Sequence, residues 1–141
     1  MTELSFHFNV PDKVAYTCRL LRKAHAAGSK VVVTAEPRLL RELDLALWTF
    51  SPLDFIAHSN PASAPELVQA SPIQLMQDIQ AAPHRQVVVN LGAGVPAGFE
   101  GFARLVEIVS TDDSDRAAAR QRWKQYVEQG YQITRHDVGT S

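Results

Sequence analysis

Apolar and polar residues alternate at the start of the chain, Phe6, Phe8 and Val10 against His7 and Asn9, which predicts a strand that Pro11 ends. Asp12 is placed to cap a helix over Lys13 to Ala27, where Val14, Cys18, Leu21 and His25 recur at helical spacing and Gly28 supplies the stop. Lys30 to Ala35 carries the β-branched run Val-Val-Val-Thr, a strand covered on both faces, so a parallel crossover joins the first two strands. Pro37 opens a second helix with a Leu40, Leu43, Leu47 stripe and an Arg38 to Glu42 pair, ending near Phe50. Phe55 to Ala57 reads as a short strand and Ser59 to Pro65 as an exposed loop.

Pro72 to Met76 is expected to be an edge strand and Gln86 to Leu91 a central one. Gly92 to Gly98 breaks the pattern, a helical turn follows at Phe99 to Ala103, and Leu105 to Val109 forms the next strand. Asp112, Asp113 and Ser114 offer caps for a long helix reaching Gln129, Gly130 ends it, and Tyr131 to Thr134 forms a last strand, with residues from about 135 to 141 expected to fray. Strands alternating with helices predict an α/β fold, a three-layer α/β/α sandwich around a mostly parallel sheet. With 141 residues, 45% hydrophobic and 21% charged, the chain reads as one domain, residues 1–141, able to bury about 68% of its unfolded surface without a disulfide or metal staple.

Cys18 is the single cysteine, so no internal disulfide or paired-thiol metal site is available and a reducing compartment is expected. The first residues lack the basic start and apolar run of a signal peptide, and no stretch reaches membrane-span length, so the expected location is the cytoplasm. Fourteen basic against fifteen acidic residues leave a net charge of −1 and no global field for holding nucleic acid.

The chemistry-bearing residues nominate no catalyst. Asn9-Val10-Pro11-Asp12-Lys13 follows the first strand without the glycines of a phosphate cradle. Gly92-Ala93-Gly94 follows a central strand and keeps open an alternative, a small nucleotide-binding protein or enzyme, although Pro96 removes a nearby backbone donor. The five histidines, His7, His25, His58, His84 and His136, have no zinc-binding spacing, so no metal and no cofactor are expected. Cys18 lies on an apolar stripe, where burial blunts a thiol, and Asp112 with Asp113 suits helix capping better than acid-base work.

Two groupings carry more. On the last helix Arg116, Arg120 and Lys124 form a cationic ridge beside the apolar arc of Ala119, Trp123, Tyr126 and Val127. That is either a solvated edge over core aromatics or a site for an acidic peptide with an apolar anchor; single-stranded nucleic acid is the rival ligand. On the second helix Leu45 and Trp48 lie more than a quarter-turn from the leucine stripe, with Phe50 and Phe55 close behind, so this segment is either buried on two faces or presents a partner interface.

The order of these pieces resembles the DNA polymerase III chi subunit family. The resemblance rests on Phe6-His7-Phe8, Gly28-Ser29-Lys30-Val31-Val32-Val33, Leu43-Asp44-Leu45-Ala46-Leu47-Trp48, Phe55-Ile56-Ala57-His58, and Asp113-Ser114 with Arg120-Gln121-Arg122-Trp123-Lys124-Gln125-Tyr126 and Gly130. It spans Leu4 to Ile133, with Trp123 where the family commonly has tyrosine and Ala57 where it often has proline. The resemblance implies a nucleotide-binding type of α/β fold without the phosphate loop and a non-catalytic adaptor of the clamp loader. It implies two partners, the psi subunit and the acidic, phenylalanine-terminated tail of single-stranded DNA-binding protein, with any nucleic-acid contact mainly indirect. By matching positions the tail site uses Val109 and Trp123 as apolar walls, Arg120 as the main carboxylate clamp, and Arg116 with Lys124 for the acids behind it. Trp48 and Phe55 match the face used toward psi or toward a helicase.

Overall fold

The computed structural model describes residues 2–49, 58–59 and 73–138. Seven strands form one sheet: β1 (Glu3–Val10), β2 (Val31–Thr34), β3 (His58–Ser59), β4 (Ile73–Leu75), β5 (Val87–Asn90), β6 (Arg104–Ser110) and β7 (Ile133–Asp137). Their order across the sheet is β3-β4-β2-β5-β6-β1-β7, and every neighbouring pair is parallel. Three helices are described, α1 (Lys13–Ala26), α2 (Pro37–Thr49) and α3 (Asp113–Glu128).

The valine run of β2 shows how the layers form. Val31 and Val33 pack with Cys18 and Leu21 of α1 and with Leu40, Leu43 and Leu47 of α2. Val32 points the other way, into a second cluster with Phe6, Val88, Phe99, Val109 and, on α3, Ala119 and Tyr126. The period-two pleat thus sends alternate residues of a wholly apolar strand into two cores. The result is a three-layer α/β/α sandwich with α1 and α2 on one face and α3 on the other.

The helix ends follow the predicted chemistry. The Asp12 carboxylate accepts from the Ala15 amide and the Asp112 carboxylate from the Asp115 amide, each relieving an orphan donor of the first turn. Gly28 and Gly130 close α1 and α3 at φ 78° and 88°, where a side chain would be strained.

Several expectations are corrected. β4 is not an edge: β3 lies outside it, and Ile73, Gln74 and Leu75 are all buried. Phe55 to Ala57 lies outside the described residues, and the strand that covers β4 begins at His58. The last strand is not confined to Tyr131 to Thr134, because pairing with β1 carries β7 to Asp137. His25 drops off the buried stripe of α1 and is exposed in its last turn, while Thr17 is buried with Cys18 and Leu21.

One irregularity positions the site. His7 pairs with Ile108 and Val10 with Ser110, so three steps along β1 oppose two along β6, and Asn9 takes the surplus at φ 60°. This β-bulge reverses the alternation: Phe6 and Phe8 face α3, whereas Val10 joins the core under α1.

On the α1 side of the same strand, His7 Nδ1 lies 2.5 Å from the Tyr16 hydroxyl, and the His7 and His136 ring centroids are 4.9 Å apart with the planes tilted at 46°. Burial, and next the neighbouring His136, lower the His7 pKa from 6.5 to about 4. Below pH 6.5 the unfolded chain therefore takes up a proton that the folded chain refuses, and stability falls progressively until the pH reaches about 4. NMR titration is expected to place the His7 midpoint near 4, and urea unfolding of His7→Gln should lose less stability across that window; a midpoint above 6 contradicts the assignment.

Candidate functional site

α3 lies across β6 and β1 in one rotational setting, and the buried stripe that fixes it is Ala119, Arg122 and Tyr126. Val127, expected in the apolar arc, is 52% exposed, and the position that takes its place is an arginine 1% exposed. Burying a guanidinium costs on the order of several kcal/mol unless it is paired and hydrogen-bonded. Glu107, fully buried at the centre of β6, supplies the partner: Arg122 Nε donates to Glu107 Oε1 at 3.1 Å and Nη1 donates to the Ala93 carbonyl at 2.8 Å. The Tyr126 hydroxyl donates to Glu107 Oε2 at 2.6 Å, and Asn90 Nδ2 donates to Glu107 Oε1 at 2.9 Å. Desolvation raises the Glu107 pKa, against which Arg122 and the Tyr126 and Asn90 hydrogen bonds pull it down; the same burial, with the Glu107 charge, drives the Tyr126 phenol up.

This network also ties down the Gly92-Ala93-Gly94 loop. The Gly92 amide donates to Asn90 Oδ1, and the Ala93 and Gly94 carbonyls accept from Arg122 and Asn90. The Gly92 amide and the Ala93 and Gly94 carbonyls are thus all taken up by buried or half-buried side chains. Beside it, above the carboxyl ends of the strands, Lys13 Nζ donates to the Leu91 carbonyl and to Asp115 at 2.9 Å each. Asp115 also accepts from the Ser110 amide; burial alone would raise its carboxyl, but that bond and Lys13 outweigh it and hold the pKa below the ordinary value.

With α3 so pinned, the residues next to the buried stripe face a cavity of about 510 Å³ between α3 and the ends of β1, β6 and β7. Val109, Arg116, Arg120, Trp123 and Lys124, the five residues nominated from the sequence, all line it. Phe6, Phe8 and Ala119 complete the apolar floor, and Asn9 and Arg135 the rim. Phe6 meets Trp123 edge to face, with centroids 5.1 Å apart, and the Arg135 guanidinium lies 5.6 Å from the Phe8 ring and 5.9 Å from the Trp123 ring. Arg116, Arg120, Lys124 and Arg135 are exposed, and none forms an ion pair among the described residues. Four uncompensated cations around an apolar slot can accept an anionic ligand that carries one bulky apolar group.

Phe6, Phe8, Asn9 and Arg135 were not identified as lining residues from the sequence. The alternation of β1 put both phenylalanines on one face but did not say which helix covered it. Arg135 fell in residues expected to fray, and no local pattern ties β7 to α3. On the other nominated face, Leu45 is 66% exposed while Leu40, Leu43 and Leu47 are buried, so α2 does have an apolar residue on its outer side. Trp48 lies in the last turn of α2, its side chain outside the description, and Phe55 lies outside the described residues.

A family model for the DNA polymerase III chi subunit, HolC, matches residues 1–134. The chain belongs to the DNA polymerase III chi subunit family. The curated chi subunit of Pseudomonas aeruginosa is 32% identical over 142 residues, covering 96% of each chain. That of Haemophilus influenzae is 27% identical over 127 residues, 86% of this chain and 85% of its own length. The Escherichia coli chi subunit is 22% identical over 118 residues, 82% of this chain and 79% of its own length. Among solved structures the C-terminal domain of the DEAD-box protein Dbp5 superposes with a TM-score of 0.59 at 12% identity, covering 99% of this chain and 91% of that domain, a likeness of fold alone. Chi-family membership places the chain in DNA replication. No helix among the described residues is long and apolar enough to cross a membrane.

The pinning role of the buried pair has a measurable consequence. Arg122→Leu strands the Glu107 carboxylate in the core and is expected to lower the unfolding free energy by about 3–5 kcal/mol, read by urea titration; a loss under about 1 kcal/mol, the scale of an exposed pair, would refute it.

Proposed function

We propose that this chi-family chain is a non-catalytic adaptor of the DNA polymerase III holoenzyme, joining the clamp loader, through psi, to the acidic C-terminal tail of single-stranded DNA-binding protein in the cytoplasm. The observation that carries the reading is the convergence of Val109, Arg116, Arg120, Trp123 and Lys124 on one apolar slot whose rim cations have no internal counter-ions among the described residues. A tail ending in phenylalanine has the matching parts: a phenyl ring for the floor, a terminal carboxylate for Arg120, and acidic side chains for Arg116 and Lys124.

The energetics suit a reversible tether. Burying one phenyl ring contributes about 1.5–3 kcal/mol, and each charge-assisted hydrogen bond about 1.5–3 kcal/mol. Ordering the peptide and losing its rigid-body freedom cost about 4–15 kcal/mol. The gains exceed the costs by little, so a weak, reversible association is the expected outcome. On the Gly92-Ala93-Gly94 loop, the Gly92 amide that a nucleotide-binding reading would use is already donated to Asn90 Oδ1. Trp48 and Phe55, at the end of α2 and just beyond it, form the proposed face toward psi or a helicase, with the exposed Leu45 one turn back on the same helix.

Arg120→Ala is expected to weaken an acidic, phenylalanine-terminated peptide about tenfold or more in titration calorimetry without loss of fold, and moderate salt is expected to weaken it too. An unchanged affinity removes the site assignment. Trp48→Ala or Phe55→Ala is expected to abolish co-purification with psi while tail binding persists; loss of both together in a folded variant would show the two faces to be one. Labelled single-stranded oligonucleotide, titrated at low salt without binding protein, is expected to bind far more weakly than the peptide.

A further inference from the structure

The three cations expected from the sequence all stand on α3, one wall of the slot. The opposite wall is made by β1 and β7, where Phe6, Phe8 and Asn9 carry no charge and Arg135 is the one cationic lining residue among the described residues. Ile133 packs in the core on the α3 face of the sheet, and Arg135, two residues on, points to the same side, over the rings of Phe8 and Trp123. Asp137, the next acid along that face, accepts from Asn9 Nδ2 at 3.0 Å.

We infer that Arg135 is a specificity-determining residue of the slot, a second carboxylate clamp on the sheet wall that reads an acidic side chain of the peptide while Arg120 holds the terminal carboxylate across the gap. The inference rests on the tail-binding reading and deepens it. An exposed cation at a rim is worth little when its side chain must be ordered on binding. Arg135 is different because its guanidinium already lies over the Phe8 and Trp123 rings, which holds the side chain at the slot and reduces the entropy lost when a carboxylate arrives. Trp123 is at once a wall for the anchoring ring and a platform for this cation, so apolar and charge recognition share one side chain. A ligand with an apolar end but no acid before it fills the floor and leaves Arg135 unanswered.

The test is a cycle between protein and peptide. Two synthetic peptides are used, both ending in phenylalanine, one with aspartates upstream of it and one with asparagines in their place. Titration calorimetry on the full chain is expected to show Arg135→Gln weakening the aspartate peptide about fivefold or more and the asparagine peptide less than about twofold, since a direct charge contact appears as coupling between the two changes. Arg135→Lys, which keeps the charge and gives up the planar fork, is expected between wild type and Arg135→Gln. Arg135→Gln with wild-type affinity for the aspartate peptide, or with equal losses for both peptides, overturns the inference while Arg120→Ala still reports on the slot itself. If the wild-type chain binds neither peptide, the tail-binding reading falls and Arg135 with it.

Discussion

One buried ion pair sets the geometry of the whole α3 side. Glu107 and Arg122 are both removed from water, and neither would be tolerated there alone. Together they are met by Tyr126, Asn90 and the Ala93 carbonyl, so that every polar atom of the pair except Arg122 Nη2 has a partner among the described residues. A hydrophobic stripe lets a helix rotate by a fraction of a turn at modest cost. A bidirectional set of hydrogen bonds at 2.6–3.1 Å does not. The rotational setting of α3, and hence the direction in which Arg116, Arg120, Trp123 and Lys124 point, is therefore decided by a pair that itself stands outside the slot.

The second contributor is the bulge in β1. Without the surplus residue at Asn9, Val10 would continue the Phe6 and Phe8 face toward α3, and the core under α1 would lose a fully buried side chain. With it, two phenylalanines remain beneath Trp123 and the strand still closes the opposite core. The slot is thus the place where a helix held by a polar network passes over a strand whose pleat has been reset, and its apolar floor is an outgrowth of the second core rather than a separate construction.

The electrostatics follow the same local logic. A net charge of −1 gives the molecule no overall attraction for an anion, yet four cations stand around one opening with no ion-pair partner among the described residues. Four other basic residues are answered by acids: Lys13 by Asp115, Arg38 by Glu42, Arg104 by Glu3 and Arg122 by Glu107. Attraction for an acidic segment is a property of where the unanswered charges lie, which total charge averages away.

Local signals in the chain determined the elements. Period-two alternation marked β1, the valine runs marked β2 and β5, the leucine stripe marked the buried face of α2, and Asp12 and Asp112 marked the helix starts, because each of these is enforced between residues a few positions apart. The five lining residues that resemblance picked out were legible for a related reason, four of them lying on one helix and the fifth at the end of the preceding strand. Four features belonged to the tertiary structure alone: that β4 is covered by β3, that Arg122 rather than Val127 is buried on α3, that the pleat of β1 resets at Asn9, and that Arg135 reaches Trp123. Each depends on a partner distant in sequence, Glu107 for Arg122, β6 for the bulge, α3 for Arg135. No periodicity within a segment records which segment will lie beside it, and a charge looks the same along the chain whether water or a buried carboxylate will answer it.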